Sequence, residues 1–348
     1  MRRLYYKLQT HKSWLSQMAN TTYIDEDRDI YSQGALVQLL EQRVAKLLGK
    51  EQALFFHKGI TAQLVVLKVA SELKKCKNVI LHPNCHIVAN EQDAYQALMG
   101  LRGIALGELS EPFTANDVSA VTEEASVLTV ELPLRNAGFK LTSFDELSKM
   151  SQWAKHNNCH FHMDGARLWE STHFYQKSLA EISDLFDSVY VSFYKGLGAI
   201  GGAVLAGDVD FIEKCKIWRS RMGGDLYSAF PMILTALDGL DKQLPVIPNW
   251  VERAKEIAKA LNKISKLYVE TPQTNGFLIF VEGDLVKLNS LINPLNEKFN
   301  LSLLYQFKPT ECRNIQKTEM QVGPASENIS TQEIVDYFKM LSGTALST

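Results

Sequence analysis

Two short stretches of the 348-residue chain gather the residue types that could do chemistry. One is His160-Phe161-His162-Met163-Asp164-Gly165-Ala166-Arg167; the other, 31 residues on from Asp164, is Tyr194-Lys195-Gly196-Leu197-Gly198. Each follows a run with strand character, Cys159–Met163 and Ser188–Phe193. A lysine at a strand end among glycines can lie against a ligand and lose its water, which lowers its pKa and makes the amine a nucleophile toward an aldehyde. A carboxylate at the neighbouring strand end, with a guanidinium three residues on, adds an anion and a cation for the same ligand. That trio is what pyridoxal 5′-phosphate requires: a lysine to carry it as a Schiff base and a carboxylate to keep its ring nitrogen protonated, so that the ring withdraws electrons from a substrate's α-carbon.

The same residues allow a different chemistry. His160, His162 and Asp164 alternate, so on a strand they share one face, and H-x-H is a common ligand pair in zinc hydrolases. A catalytic zinc needs a third protein ligand, and His57, His82, His86, His156 and His173 form no second pair at metal spacing. The metal reading also leaves Arg167 and Lys195 unexplained, so no metal site is expected.

These residues need a scaffold that brings strand ends together. Ala53–Phe56, Val79–Leu81, Val127–Leu132 and Ala203–Ala206 read as further strands, several continuously apolar, as strands covered on both faces are. Helical periodicity lies between them: Leu36, Leu39, Leu40, Val44, Leu47 and Leu48 mark one helix that stops at Gly49. Another opens at Ser143, which with Glu146 forms a capping-box pair ahead of Leu147, Met150 and Trp153. The alternation predicts an α/β fold, a mostly parallel sheet flanked by helices with ligands at the carboxyl ends of its strands. Residues 1–28 read as a polar, irregular N-terminal segment, 29–243 as a large cofactor domain, and 244–348, beyond two prolines, as a smaller α+β domain.

The motifs resemble those of the threonine aldolase and β-eliminating lyase family. His162-Met163-Asp164-Gly165-Ala166-Arg167 is similar to its H-x-D-G-A-R segment and Lys195-Gly196-Leu197 to its S-K-G-L segment; Asp29-Ile30-Tyr31, Gly49–Phe55, Cys85-His86-Ile87 with Glu91, Asn136-Ala137-Gly138 and Trp218–Gly224 extend the likeness. The resemblance implies the fold type I architecture of pyridoxal-phosphate enzymes, a homodimer or homotetramer, and retro-aldol cleavage of a β-hydroxy-α-amino acid to glycine and an aldehyde. β-Elimination, other α-carbon chemistry or a catalytically degenerate relative remain open beside it. It also implies roles. Lys195 would be the Schiff-base lysine, Asp164 the partner of the pyridine nitrogen, His86 the imidazole stacked on the ring, Arg167 the group at its phenolic oxygen, and Gly59, Ile60 and Thr61 the phosphate turn. His86 or Glu91 would be the base, Glu91 being alternatively a helix-surface charge. Departures are marked: the family's S-G-T reads Lys58-Gly59-Ile60, the serine before the lysine is Tyr194, and an arginine for the substrate carboxylate aligns with Gln321.

Composition closes off other classes. With 46% apolar and 22% charged residues the chain is globular, and 37 Lys+Arg against 39 Asp+Glu leave no basic excess for a nucleic acid. No run approaches the ~18 apolar residues of a membrane span, the N-terminus lacks the apolar core of a signal peptide, and five scattered cysteines form no C-x-x-C pair. A cytoplasmic protein with no membrane partner is expected, acting on a small amino acid.

Overall fold

A computed structural model describes residues 1–346. The chain divides into two compact units, Thr10–Pro245 and a second made of Met1–Gln9 with Val246–Thr348. Residues 1–28 are therefore shared between the units, and they are not all irregular: His11–Ala19 is a helix capped by Thr10.

The larger unit is built on a seven-stranded sheet. Its strands are β1 (Gln52–Phe56), β2 (Asn78–Leu81), β3 (Arg102–Ala105), β4 (Val127–Glu131), β5 (His160–Gly165), β6 (Ser188–Ser192) and β7 (Ala203–Gly207), in the spatial order β1-β7-β6-β5-β4-β2-β3. Pairs among β3, β2, β4, β5 and β6 are parallel, and β7 alone runs against both its neighbours. Strands β4, β6 and β7 are buried at every position, as the continuous apolar runs predict. Burying each Val or Leu in them contributes roughly 1.5–3 kcal/mol, so these strands anchor the sheet in the core of the unit.

Helices cover it: α1 (Ala35–Leu48), α2 (Gly59–Lys74), α3 (Phe144–His156), α4 (Val209–Arg221) and α5 (Phe230–Lys242). Helix α1 ends at Gly49 as its periodicity predicts. At the start of α3 only half of the expected capping box forms. Ser143 Oγ accepts from the Glu146 amide, but the Glu146 carboxylate accepts instead from the Ala115 amide at 2.6 Å, tying a neighbouring helical turn to α3.

The smaller unit carries a four-stranded antiparallel sheet of β8 (Leu267–Val269), β9 (Gly276–Glu282), β10 (Lys308–Pro309) and β11 (Ile315–Gln321), in the order β10-β11-β9-β8. Helices α6 (Ile247–Leu261), α7 (Leu285–Phe299) and α8 (Thr331–Leu346) accompany it. The α+β character expected of the C-terminal part is present. Among the described residues no helix is long and apolar enough to cross a membrane.

Candidate active site

Parallel register brings three side chains into one row. Glu131 pairs with Asp164, and Asp164 with Tyr190, so residues near the carboxyl ends of β4, β5 and β6 stand side by side on one face. Asp164 lies within its strand, not just beyond it as expected, and is 2% exposed. Its Oδ1 accepts from the Ala166 amide at 3.1 Å. Burial raises its pKa, against the lowering pull of Lys195 and His86.

Lys195 follows β6 by three residues, which carries its amine back to this row. Burial and the Arg167 guanidinium push its pKa from 10.5 down to about 8, although Asp164 and Glu131 pull the other way. A lysine with the ordinary value is about 0.3% free base at pH 8; this one is half so. A Cβ at Gly196 would lie 2.3 Å from Glu170 Oε1, so glycine there lets the Glu170 carboxylate lie against the lysine loop. Glu170 is 1% exposed, neither of its carboxylate oxygens has a partner, and burial lifts it to about 7. Arg167, also buried, lies with its guanidinium carbon 5.5 Å from the centre of the Phe139 ring, and its Nε has no partner.

His86 opens a single helical turn, His86–Ala89, whose preceding residue Cys85 provides no side-chain cap. Glu131 supplies the cap from β4: its Oε2 accepts the His86 amide at 2.7 Å and its Oε1 the Arg135 amide at 3.2 Å. Glu131 is lifted to about 7 by burial and by Asp164 beside it. Its signal in the sequence was one carboxylate inside the apolar run Val127–Leu132, which no motif singled out. Glu91 is not on a helix surface. It is 6% exposed, in a bend, and His86 Nδ1 lies 2.9 Å from its Oε1. Nδ1–H donating to that carboxylate leaves Nε2 as the basic nitrogen.

Gly59, Ile60 and Thr61 form the first turn of α2 instead of a turn ahead of it, and Lys58 at the N-cap makes no side-chain cap bond. A Cβ on Gly59 would lie 2.0 Å from the Tyr190 hydroxyl. Only glycine lets that phenol reach the helix end. Ser192, two residues on from Tyr190 and therefore on the same face of β6, is fully buried, with its hydroxyl beside that of Tyr190.

The histidine pair that suggested zinc serves another purpose. His162 Nε2 lies 2.7 Å from Gln63 Oε1 and its Nδ1 2.7 Å from Ser188 Oγ, which is also 2.7 Å from His160 Nε2. Burial drops His162 to about 3 and His160 to about 4, so both are neutral. With the Gln63 carbonyl turned toward it, His162 is assigned its proton on Nε2, with Ser188 donating to Nδ1 and His160 donating to Ser188. Both nitrogens of His162 are used, and among the described residues no three His, Cys, Asp or Glu side chains are grouped to hold a metal.

A lysine, a carboxylate and an arginine gathered at the carboxyl ends of a mostly parallel sheet, with a separate antiparallel sheet in the C-terminal part, define the fold type I class of pyridoxal-phosphate enzymes. Within that class the chain belongs to the β-eliminating lyase family, whose model matches residues 13–284. A Listeria monocytogenes protein provisionally described as an L-allo-threonine aldolase superposes with a TM-score of 0.93 at 33% identity, over 99% of this chain and 96% of that one. An Exiguobacterium protein provisionally described as an aromatic amino acid β-eliminating lyase/threonine aldolase gives a TM-score of 0.92 at 30% identity, over 99% and 97%. The low-specificity L-threonine aldolase 1 of Arabidopsis thaliana is 28% identical over 270 residues, 74% of each chain.

Proposed function

We propose that the protein binds pyridoxal phosphate through Lys195 and cleaves a β-hydroxy-α-amino acid, threonine or a close analogue, to glycine and an aldehyde. The observation that carries the reading is Lys195 itself, whose burial beside Arg167 brings its pKa to about 8 and keeps its amine available. The surroundings fit the cofactor. Asp164 is a carboxylate whose pKa burial raises, and a pyridinium nitrogen would give it a cationic partner; the uncapped first turn of α2 offers donors that a phosphate would satisfy.

When bound, the cofactor supplies an electron sink for the pair released at the substrate's α-carbon. Asp164, ionised against the ring nitrogen, keeps that sink strong. Arg167 holds the phenolic oxygen side. His86 Nε2 takes the proton of the β-hydroxyl as the Cα–Cβ bond opens, and Glu91, on Nδ1, fixes the tautomer and stabilises the imidazolium. Glu131 keeps the backbone of His86 in place. Lys195 serves as covalent anchor before and after turnover. The relatives described as threonine aldolases support the choice of bond.

A homodimer or homotetramer follows by the family likeness, and exposed apolar surface supports it: Ile30, Tyr31 and Tyr227 are open to solvent, the two tyrosine rings 5.4 Å apart. Sedimentation checks this; a fully active monomer contradicts it. The reaction is tested by incubating the loaded protein with threonine, allo-threonine and phenylserine. Aldehyde with equimolar glycine is expected. Ammonia and a keto acid without aldehyde, or no turnover of any of the three, overturns the assignment.

A further inference from the structure

The start of α2 holds a departure from the family pattern that the proposed function leaves unused: a lysine stands where the phosphate turn would have a hydroxyl. Its surroundings are unusual. Lys58 precedes a 16-residue helix in extended conformation (φ −144°, ψ 139°), so its backbone leads into the helix while its side chain caps nothing. Its ammonium lies 5.2 Å from the centre of the Tyr194 ring, and that of Lys195 lies 5.8 Å from the same ring. The aromatic ring thus attracts two cations. Among the described residues no carboxylate pairs with Lys58, so the ring restrains the side chain while leaving its charge uncompensated.

Three further facts bear on what that charge could meet. The Tyr190 hydroxyl reaches the start of α2 through the space that Gly59 leaves. Ser192, on the face of β6 that bears Tyr190, is fully buried with its hydroxyl beside that of Tyr190. Finally, the other cation near this turn is already committed: Arg219 donates to the Phe55 carbonyl at 2.8 Å and pairs with Asp225 at 2.9 Å. Lys195 has to remain free for an aldehyde. Lys58 is the charge that remains.

We propose that Lys58, steadied by the Tyr194 ring, is the cationic ligand of the cofactor's phosphate in this chain, completing a cup formed by the first amides of α2 and the Ser192 hydroxyl. A full positive charge replaces the neutral hydroxyl of the family's turn, and Tyr194, at the position of the family's serine, supports it through its ring. This inference rests on the cofactor reading above. It makes the grip on phosphate depend on charge, so that added salt weakens it.

The experiment is a spectroscopic titration of the apoprotein with pyridoxal phosphate and, separately, with unphosphorylated pyridoxal, each at low and moderate salt, with inorganic phosphate as competitor. The proteins are wild type, Lys58→Met and Lys58→Arg; Lys58 is exposed, and melting curves check that each is folded. Lys58→Met is expected to weaken pyridoxal phosphate at least about tenfold, to leave pyridoxal unchanged, to flatten the salt dependence and to blunt competition by phosphate, with Lys58→Arg recovering most of the loss. An unchanged affinity for pyridoxal phosphate in Lys58→Met, or an equal loss for both ligands, overturns the proposal while the cofactor reading stands. A wild type that binds neither ligand overturns both.

Discussion

The two ends of strand β5 hold similar residues to opposite effect. Toward its amino end, half-buried His160 and buried His162 form a hydrogen-bonded chain with Ser188 and Gln63 that leaves one polar atom, the Gln63 amide nitrogen, without a partner. Toward its carboxyl end, two residues past His162, Asp164 is buried with its pKa raised by that burial, and around it lie Glu170 with neither oxygen paired and Arg167 with a free Nε. Leaving a buried polar group unpaired costs roughly 1–3 kcal/mol. Interiors tolerate that where a ligand settles the debt. A single unpaired amide beside a bonded network belongs to the scaffold, whereas a cluster of unmatched groups of both signs marks where something binds.

The contrast can be broken at either end. At the carboxyl end, Lys195→Ala is expected to abolish covalently held cofactor and lower turnover at least about a thousandfold, with no fall in the melting temperature of the apoprotein; absorbance after dialysis and aldehyde release measure it. Asp164→Asn keeps the neutral hydrogen-bonding shape but removes the anion, so the protein should still load and yet turn over about a hundredfold more slowly. Glu91→Gln leaves His86 a partner without the charge that stabilises its protonated form. A drop of about tenfold is expected, with the alkaline side of the rate profile kept.

Acidity sharpens the same point. Since Lys195 titrates near 8 instead of 10.5, the rate at which apoprotein takes up pyridoxal phosphate should rise through pH 8 and then level. A rate still climbing at pH 10 means the amine is not desolvated. The sign for stability agrees: between about 8 and 10.5 the unfolded chain binds the proton that the folded one has released, so the apoprotein gains stability as pH rises across that window. At the amino end the smallest effect on chemistry is expected. His162→Leu strands Ser188 and Gln63, which should cost about 1–3 kcal/mol in denaturant unfolding and leave the turnover of the loaded protein almost unaltered.

How much of this was legible in the sequence follows from the same distinction. Apolar runs identified β1, β2 and β4 to β7, because strands covered on both faces have no choice of composition. β3 escaped, since Arg102–Ala105 lies at the sheet edge with no position buried. The helix His11–Ala19 escaped because Met18 is its one buried residue. In the site, Lys195, Asp164, Arg167, His86 and Glu91 could be singled out by motif and spacing. Glu131, Glu170, Tyr190 and Ser192 could not: what distinguishes them is burial without a partner, or register against a neighbouring strand, and neither exists in one dimension. The zinc reading of His160 and His162 arose from the same limitation, as Gln63, which fixes the proton positions, lies 99 residues from His162.

The central claim is that the desolvated amine of Lys195 anchors the cofactor. Its most direct test is to load the protein with pyridoxal phosphate, reduce it with borohydride, digest it and map the pyridoxyl group by mass spectrometry. The account predicts one label per chain, on the peptide containing Tyr194-Lys195-Gly196, and none in Lys195→Ala. A stoichiometric label on a different lysine, or a protein that acquires no visible band before reduction, contradicts it.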